Sequence, residues 1–153
     1  MMHILDDWFD KIHAVAPILL RRRFLDRLSA GEASRSRTFC ALVVSVCAAT
    51  ISTLPKGDYG HLTVEKCVEF IEEHQLLQHS ILRPSYSVDW CIAMYNIGAS
   101  IVTQNTSDIR RYHALAEAAA GTRYLLLADE RSASYVDQQI LKRLFWLLYA
   151  ATE

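Results

Sequence analysis

The sequence predicts an all-α fold, an irregular multi-helix bundle formed by residues 1–153 as one domain. Two observations carry this prediction. Apolar residues recur at spacings of three and four along most of the chain, the repeat of a helix with one buried face. Ser, Thr and Asp stand where those repeats begin, and Pro or Gly where they break. The alternatives leave no trace: there is no strand hairpin, Gly-rich phosphate loop, Gly-x-Ser-x-Gly elbow or short internal repeat.

Ile4, Leu5, Trp8, Ile12 and Val15 share one helical face, so residues 3–15 read as an amphipathic first helix that Pro17 ends. Residues 16–21 form a turn, and Phe24, Leu25 and Leu28 line the inner side of a short second helix closed by Gly31. The triplet Arg21, Arg22, Arg23 is too short for a phosphate-binding patch and reads as a solvated helix edge. Ser34 or Ser36 caps a helix over residues 38–53, which is apolar nearly all round and rich in Ala, Ser and Cys; this should be the central helix. Pro55, Gly57 and Gly60 mark a loop.

Thr63 caps the next helix, expected to run to about Gln78, with Val64, Cys67, Val68 and Ile71 inward and Lys66, Glu69, Glu72 and Glu73 toward water. Arg83, Pro84 and Ser85 interrupt the pattern, and Ser87 with Asp89 opens a helix through about residue 104. Val88, Cys91, Tyr95 and Val102 lie along one side of it, and Trp90, Met94, Ile97 and Ile101 along an adjacent side. Gly98 in its middle costs about 1 kcal/mol against alanine, which points to close contact with another helix. Thr106 or Ser107 caps a long Ala-rich helix to about Ala128, in which Gly121 marks either a bend or a division into two helices. Residues 129–133 connect to the last helix.

That last helix, residues 134–152, opens with Ser134 and Asp137 at capping-box spacing. Ile140, Leu141, Leu144, Phe145, Leu148 and Ala151 form one apolar face, while Trp146, Leu147 and Tyr149 fill the opposite side. A helix apolar on both sides needs a covering on both, and no later element follows Glu153. The sequence therefore reads as the N-terminal part of a larger helical domain, with Phe145, Trp146, Leu148 and Tyr149 as the candidate interaction surface.

Composition bounds the function. Hydrophobic residues make up 52 % and charged residues 22 %, an apolar balance that fits missing partner surface. The net charge of -1 supplies no basic field for nucleic acid, so the chain is not expected to bind DNA on its own. The N-terminus lacks the pattern of a signal peptide, and residues 38–55 are too short and polar for a membrane span. Cys40, Cys47, Cys67 and Cys91 sit in apolar stretches without a Cys-x-x-Cys pair and read as small core residues in a reducing compartment.

No catalytic, cofactor-binding or metal-ligating constellation is complete. Asp10 and His13 have the carboxylate–histidine spacing of a helical di-iron half-site, but the second half is missing. His74 and His79 lack a second ligand pair, and His113 with Glu117 reads as an ordinary surface pair. Arg110, Arg111, Arg123 and Arg143 could meet an anionic effector, yet long arginines on helices are more often solvated or packed along their stems.

Three blocks in order carry a family resemblance: Phe9, Ile12, His13, Pro17, Ile18, Leu19, Phe24 and Leu25; the apolar run of residues 39–50; and Lys142, Arg143, Phe145, Trp146 and Tyr149. With them the chain resembles the middle homology region of fungal binuclear zinc-cluster transcription regulators. The family often carries an Asp-Arg pair just after the last tyrosine, where this chain has Ala151, Thr152 and Glu153. That ending is closer to the starch- and maltose-type branch controlling carbohydrate-utilisation genes. The resemblance implies a non-enzymatic regulatory region in the nucleus. Its partners would be other parts of the parent regulator or a separate protein, with a metabolite as effector. Zinc would belong only to the parent's DNA-binding domain, which lies outside this chain, and no cofactor is implied here. A free-standing helical adaptor docking through its last helix is the alternative, and a helical metalloenzyme using Asp10 and His13 is a third reading.

Overall fold

The computed structural model describes residues 2–54, 57, 59–79, 85–104, 108–128 and 134–152, and among these every regular element is helical. Helix α1 spans Met2–Asp7 and runs into a π-helical turn, Trp8–Ile12; α2 spans Arg21–Ser29 and is followed by a 3₁₀ turn, Glu32–Ser34. The rest of the bundle is α3 (Arg37–Thr53), α4 (Val64–Glu73), α5 (Val88–Gln104), α6 (Ile109–Leu127) and α7 (Tyr135–Thr152). Pro55, Arg83, Pro84, Thr106, Ser107, the connection over 129–133, the side chain of Val102 and Glu153 fall outside the described residues.

Helices α3 and α5 form the centre because they are apolar around most of their circumference and can be packed on several sides. They pack on each other; α1 and α4 lie against α3, α6 against α5, and α7 against α6 and α5. Small residues let the central axes approach. A Cβ added at Gly98 would come within 2.8 Å of the Leu115 side chain, and one at Gly121 within 2.9 Å of Cys91 Sγ and of the Tyr86 ring. Gly121 therefore marks a packing contact inside one continuous α6, rather than a break between two helices. Two polar side chains are buried between α3 and α5 and satisfy each other: Asn96 Nδ2 donates to Ser45 Oγ at 3.3 Å, and the Ser45 hydroxyl donates to the Leu42 carbonyl at 2.7 Å.

The first helix departs from its expected phase. The bond from His13 N–H to the Trp8 carbonyl, 3.0 Å, spans five residues and widens the turn. Trp8, Phe9 and Ile12 all reach the core as a result, and Val15, expected on the inner face, is 76 % exposed because the helix has already ended. Helix α4 stops at Glu73 rather than about Gln78. Gln75 takes a left-handed conformation, φ 50°, and its N–H and that of Leu76 donate to the Glu72 and Ile71 carbonyls at 3.2 and 3.1 Å. These are the two bonds of a Schellman stop, made without the glycine that usually announces one.

Caps at Ser36, Thr63 and Ser87 form as the sequence predicts, each accepting from the N–H three residues on at 3.1 to 3.2 Å. Helix α6 instead takes Asp108 as its cap, with Arg110 N–H donating at 2.9 Å.

Candidate interaction surface

Helix α7 begins where Ser134 Oγ accepts the Asp137 N–H at 3.1 Å. The Asp137 carboxylate takes Arg23 of α2 at 3.1 Å, so the start of α7 is also tied to a helix more than a hundred residues earlier. Arg143 Nη1 donates to the Pro17 carbonyl at 3.1 Å, a second tie to the same region. Arg21 pairs with Asp6 and Asp10 at 3.4 and 3.0 Å. Two arginines of the triplet therefore connect elements, where the sequence suggested only a solvated edge.

The inner row of α7 is Ile140, Leu141, Leu144 and Leu148, all buried. Leu148 was expected on the candidate interaction surface, but at 3 % exposure it belongs to the core. The reason is register: Leu144 and Leu148 are one turn apart and both face α6 and α5, the helices that α7 packs against. Phe145, expected on the inner face, sits at its edge with 38 % exposure, while Trp146 is 66 % and Tyr149 52 % exposed. These three rings make a row, with centroids 5.8 Å apart for Phe145–Trp146 and 6.0 Å for Trp146–Tyr149, each pair near edge-to-face. Lys142 and Arg143 are exposed one turn earlier on the helix. The surface is thus a basic start followed by an aromatic band, which can take up apolar area.

The magnitude matters. Taking ~200 Å² for each ring-bearing side chain, the exposed fractions leave roughly 310 Å² of accessible surface, a size that on a monomer is often functional. Covering it would contribute about 8 kcal/mol from this side of the contact at 25 cal/mol per Å². A stable interface between free partners buries about 800 Å² on each side, more than twice this patch. These three rings alone therefore suit a segment held nearby better than a freely diffusing partner.

The other sequence candidates do not assemble. Asp10 is taken by Arg21, and His13 lies against the Trp8 and Phe9 rings, 5.7 and 6.0 Å between centroids, with its Nδ1 buried and without a hydrogen-bond partner. His74 packs on Phe70 and is bonded through Nδ1 to the Phe70 carbonyl, whereas His79 stacks on Trp90 at 4.9 Å. Among the described residues, no three His, Cys, Asp or Glu side chains converge on a point that could hold a metal ion, and no helix is long and apolar enough to cross a membrane. Cys47, Cys67 and Cys91 are buried free thiols, and burial pushes their pKa values up to about 11, 12 and 12. Cys40 is half-buried, its thiol also raised by burial.

Two features escape sequence reading. Arg27 lies over the Phe39 ring at 4.3 Å, grips Glu32 with two bonds of 2.9 and 2.7 Å, and reaches Asp89 at 3.1 Å. These hydrogen bonds hold the guanidinium firmly charged and keep the Glu32 carboxyl below the usual carboxylate range. The second feature is a half-open cavity between α4, α5 and α6. Both bring together residues far apart in sequence, and neither leaves a local motif.

Comparison of the chain with protein-family models, curated proteins and solved structures found no match.

Proposed function

We propose that this chain is part of the regulatory region of a nuclear transcription regulator resembling the fungal zinc-cluster class, and that the aromatic row of α7 packs against further helical parts of the same regulator. The observation that carries this reading is the exposed row Phe145, Trp146 and Tyr149 on a helix whose inner row, Ile140, Leu141, Leu144 and Leu148, is buried. The small area of the exposed row favours a tethered covering over a diffusing one. The three blocks behind the family resemblance support it too. They supply the early core residues Phe9, Ile12, Ile18 and Phe24, the central α3, and α7, and Arg143 to Pro17 joins the first block to the last. On this reading, control operates by population shift. A ligand or protein that prefers the covered or uncovered α7 changes access to the activation segment through its differential affinity for the two arrangements. Control of carbohydrate-utilisation genes is the finer form of the proposal.

A reporter tests it. The chain is placed between a heterologous DNA-binding domain and an activation segment in yeast, and compared with a Phe145→Gln, Trp146→Gln, Tyr149→Gln version. The expected outcome is lowered activation with the native chain and recovery with the triple variant. Equal activation by both, at equal protein levels, defeats the regulatory reading. The alternative, a free-standing adaptor, draws on the same aromatic row. It requires that the purified chain stay monomeric in sedimentation and bind a separate partner tightly and saturably through these rings, whereas the leading reading expects at most weak, concentration-dependent self-association that the triple variant abolishes.

A further inference from the structure

The cavity between α4, α5 and α6 encloses about 440 Å³, a volume within the range of ~300–1,000 Å³ typical of small-molecule sites. It exists because the Schellman stop at Gln75 turns the chain off the α4 axis, while Arg110 of α6 bridges to Glu65 at the opposite end of α4, at 3.1 Å. Its floor is apolar and drawn from separate helices: Ile71 of α4 and Met94, Ile97 and Ile101 of α5. Met94 gives that floor an adaptable shape.

The rim has a definite charge. Glu72 and Glu117 line it, both exposed, and neither carboxylate has an ion pair or hydrogen bond among the described residues. Arg110 is the single arginine or lysine among the described lining residues, and its guanidinium is already occupied by Asp108 at 2.7 Å and Glu65 at 3.1 Å. Asp108 and Glu65 offset the charge of Arg110, so the α4–α6 side of the mouth, opposite Gln75, Gln78 and the Arg37 beyond them, is left negative by Glu72 and Glu117, which disfavours an anion and attracts a cation there. His113, Gln75 and Gln78 add hydrogen-bonding groups to the same mouth.

We propose that this cavity binds a small apolar organic cation, an amine whose hydrocarbon body rests on Ile71, Met94, Ile97 and Ile101 and whose ammonium group faces Glu72 and Glu117. Among the described residues none of α7 lines the cavity, so the assignment goes beyond the regulatory reading and stands or falls separately from it.

The test is a methyl-resolved NMR titration of the whole chain with three probes of one shape: cyclohexylmethylamine, cyclohexanecarboxylate and cyclohexylmethanol. The amine should shift the methyls of Ile71, Met94 and Ile97 saturably and bind at least about tenfold tighter than the carboxylate, since reversing the probe's charge reverses its Coulomb interaction with the rim. That preference should shrink severalfold in the Glu72→Gln, Glu117→Gln double variant, whose exposed positions leave the fold intact. Met94→Trp, which fills the floor, should abolish the shifts; if that variant loses helical circular dichroism, the glutamine variant decides alone. Equal affinity for amine and carboxylate, shifts that map to α7, no saturable shift up to the amine's solubility limit, or an unchanged preference in the glutamine variant overturns the proposal.

Discussion

Leu148 and Trp146 stand two residues apart on α7, and the structure assigns them opposite energetic roles. Leu148 is 3 % exposed and packed into the core, so Leu148→Ala removes buried methyl and methylene groups and leaves a cavity, a change that costs ~2–5 kcal/mol. Its place in the last turns of α7, where neighbours can relax into the gap, favours the lower half of that range. For a domain of this length each 1 kcal/mol lowers Tm by ~2–4 °C, so the variant should melt roughly 5–12 °C lower. Trp146, 66 % exposed, has no such role: Trp146→Gln should change stability by no more than about 0.5 kcal/mol. The assay is urea and thermal unfolding followed by far-UV circular dichroism. It is repeated at several protein concentrations, because association through the aromatic row would stabilise the native chain by mass action and shift with concentration. If Trp146→Gln lowers the concentration-independent Tm as much as Leu148→Ala does, the division of α7 into a buried and an open face is wrong.

Three further outcomes follow from the packing and the ionised groups. At Gly98, alanine gains about 1 kcal/mol of helix propensity but drives its methyl into the buried Leu115; overpacking of ~1–3 kcal/mol should win, so Gly98→Ala lowers the urea midpoint where an exposed helical glycine would raise it. Gly121→Ala should do the same, because Trp90 in its path is fixed by its Nε1 bond to the Leu77 carbonyl at 2.9 Å. Arg27 holds the Glu32 carboxyl below its ordinary value of 4.5, so this group's contribution is fully present above that value and is lost as pH falls through the lower, folded one. Glu32→Gln should therefore be less stable than the native chain at about pH 7 and approach it as pH falls through the lowered, folded value; a gap that persists in acid would assign the effect to packing instead. A disulfide-exchange reagent at about pH 8 should modify half-buried Cys40 first and reach Cys47, Cys67 and Cys91 only on unfolding, since burial both shields these thiols and keeps them protonated; peptide mapping that finds Cys67 labelled first would contradict this.

Much of the candidate surface is legible in the sequence. Trp146 and Tyr149 lie opposite the Ile140–Leu144 row on a helix, and the structure leaves both open. Phe145 and Leu148 were harder to assign, because a stripe apolar on both sides has no sharp edge, and a rotation of a few tens of degrees decides which large side chain is covered. The cavity and the Arg27 cluster were illegible. Arg27 and Asp89 are 62 residues apart, and a pocket is made by the space between helices, which no single helix encodes.

What the sequence by itself determined is therefore what depends on neighbours within one or two helical turns. It set the all-helical class, the caps at Ser36, Thr63, Ser87 and Ser134, the inner face of α4 and the central place of α3, because hydrogen bonding at a helix end and apolar periodicity are both local. What only the tertiary structure decided is what depends on partners distant in the chain. Core demand drew Phe9 inward and widened the first helix into a π turn. Gln75 took a left-handed conformation that its own side chain does not favour, which ended α4 early, and Asn96 found its partner in Ser45 of another helix. In each case packing and the satisfaction of buried polar groups outweigh a local preference of about 1–2 kcal/mol, and those contacts exist only once the helices have come together.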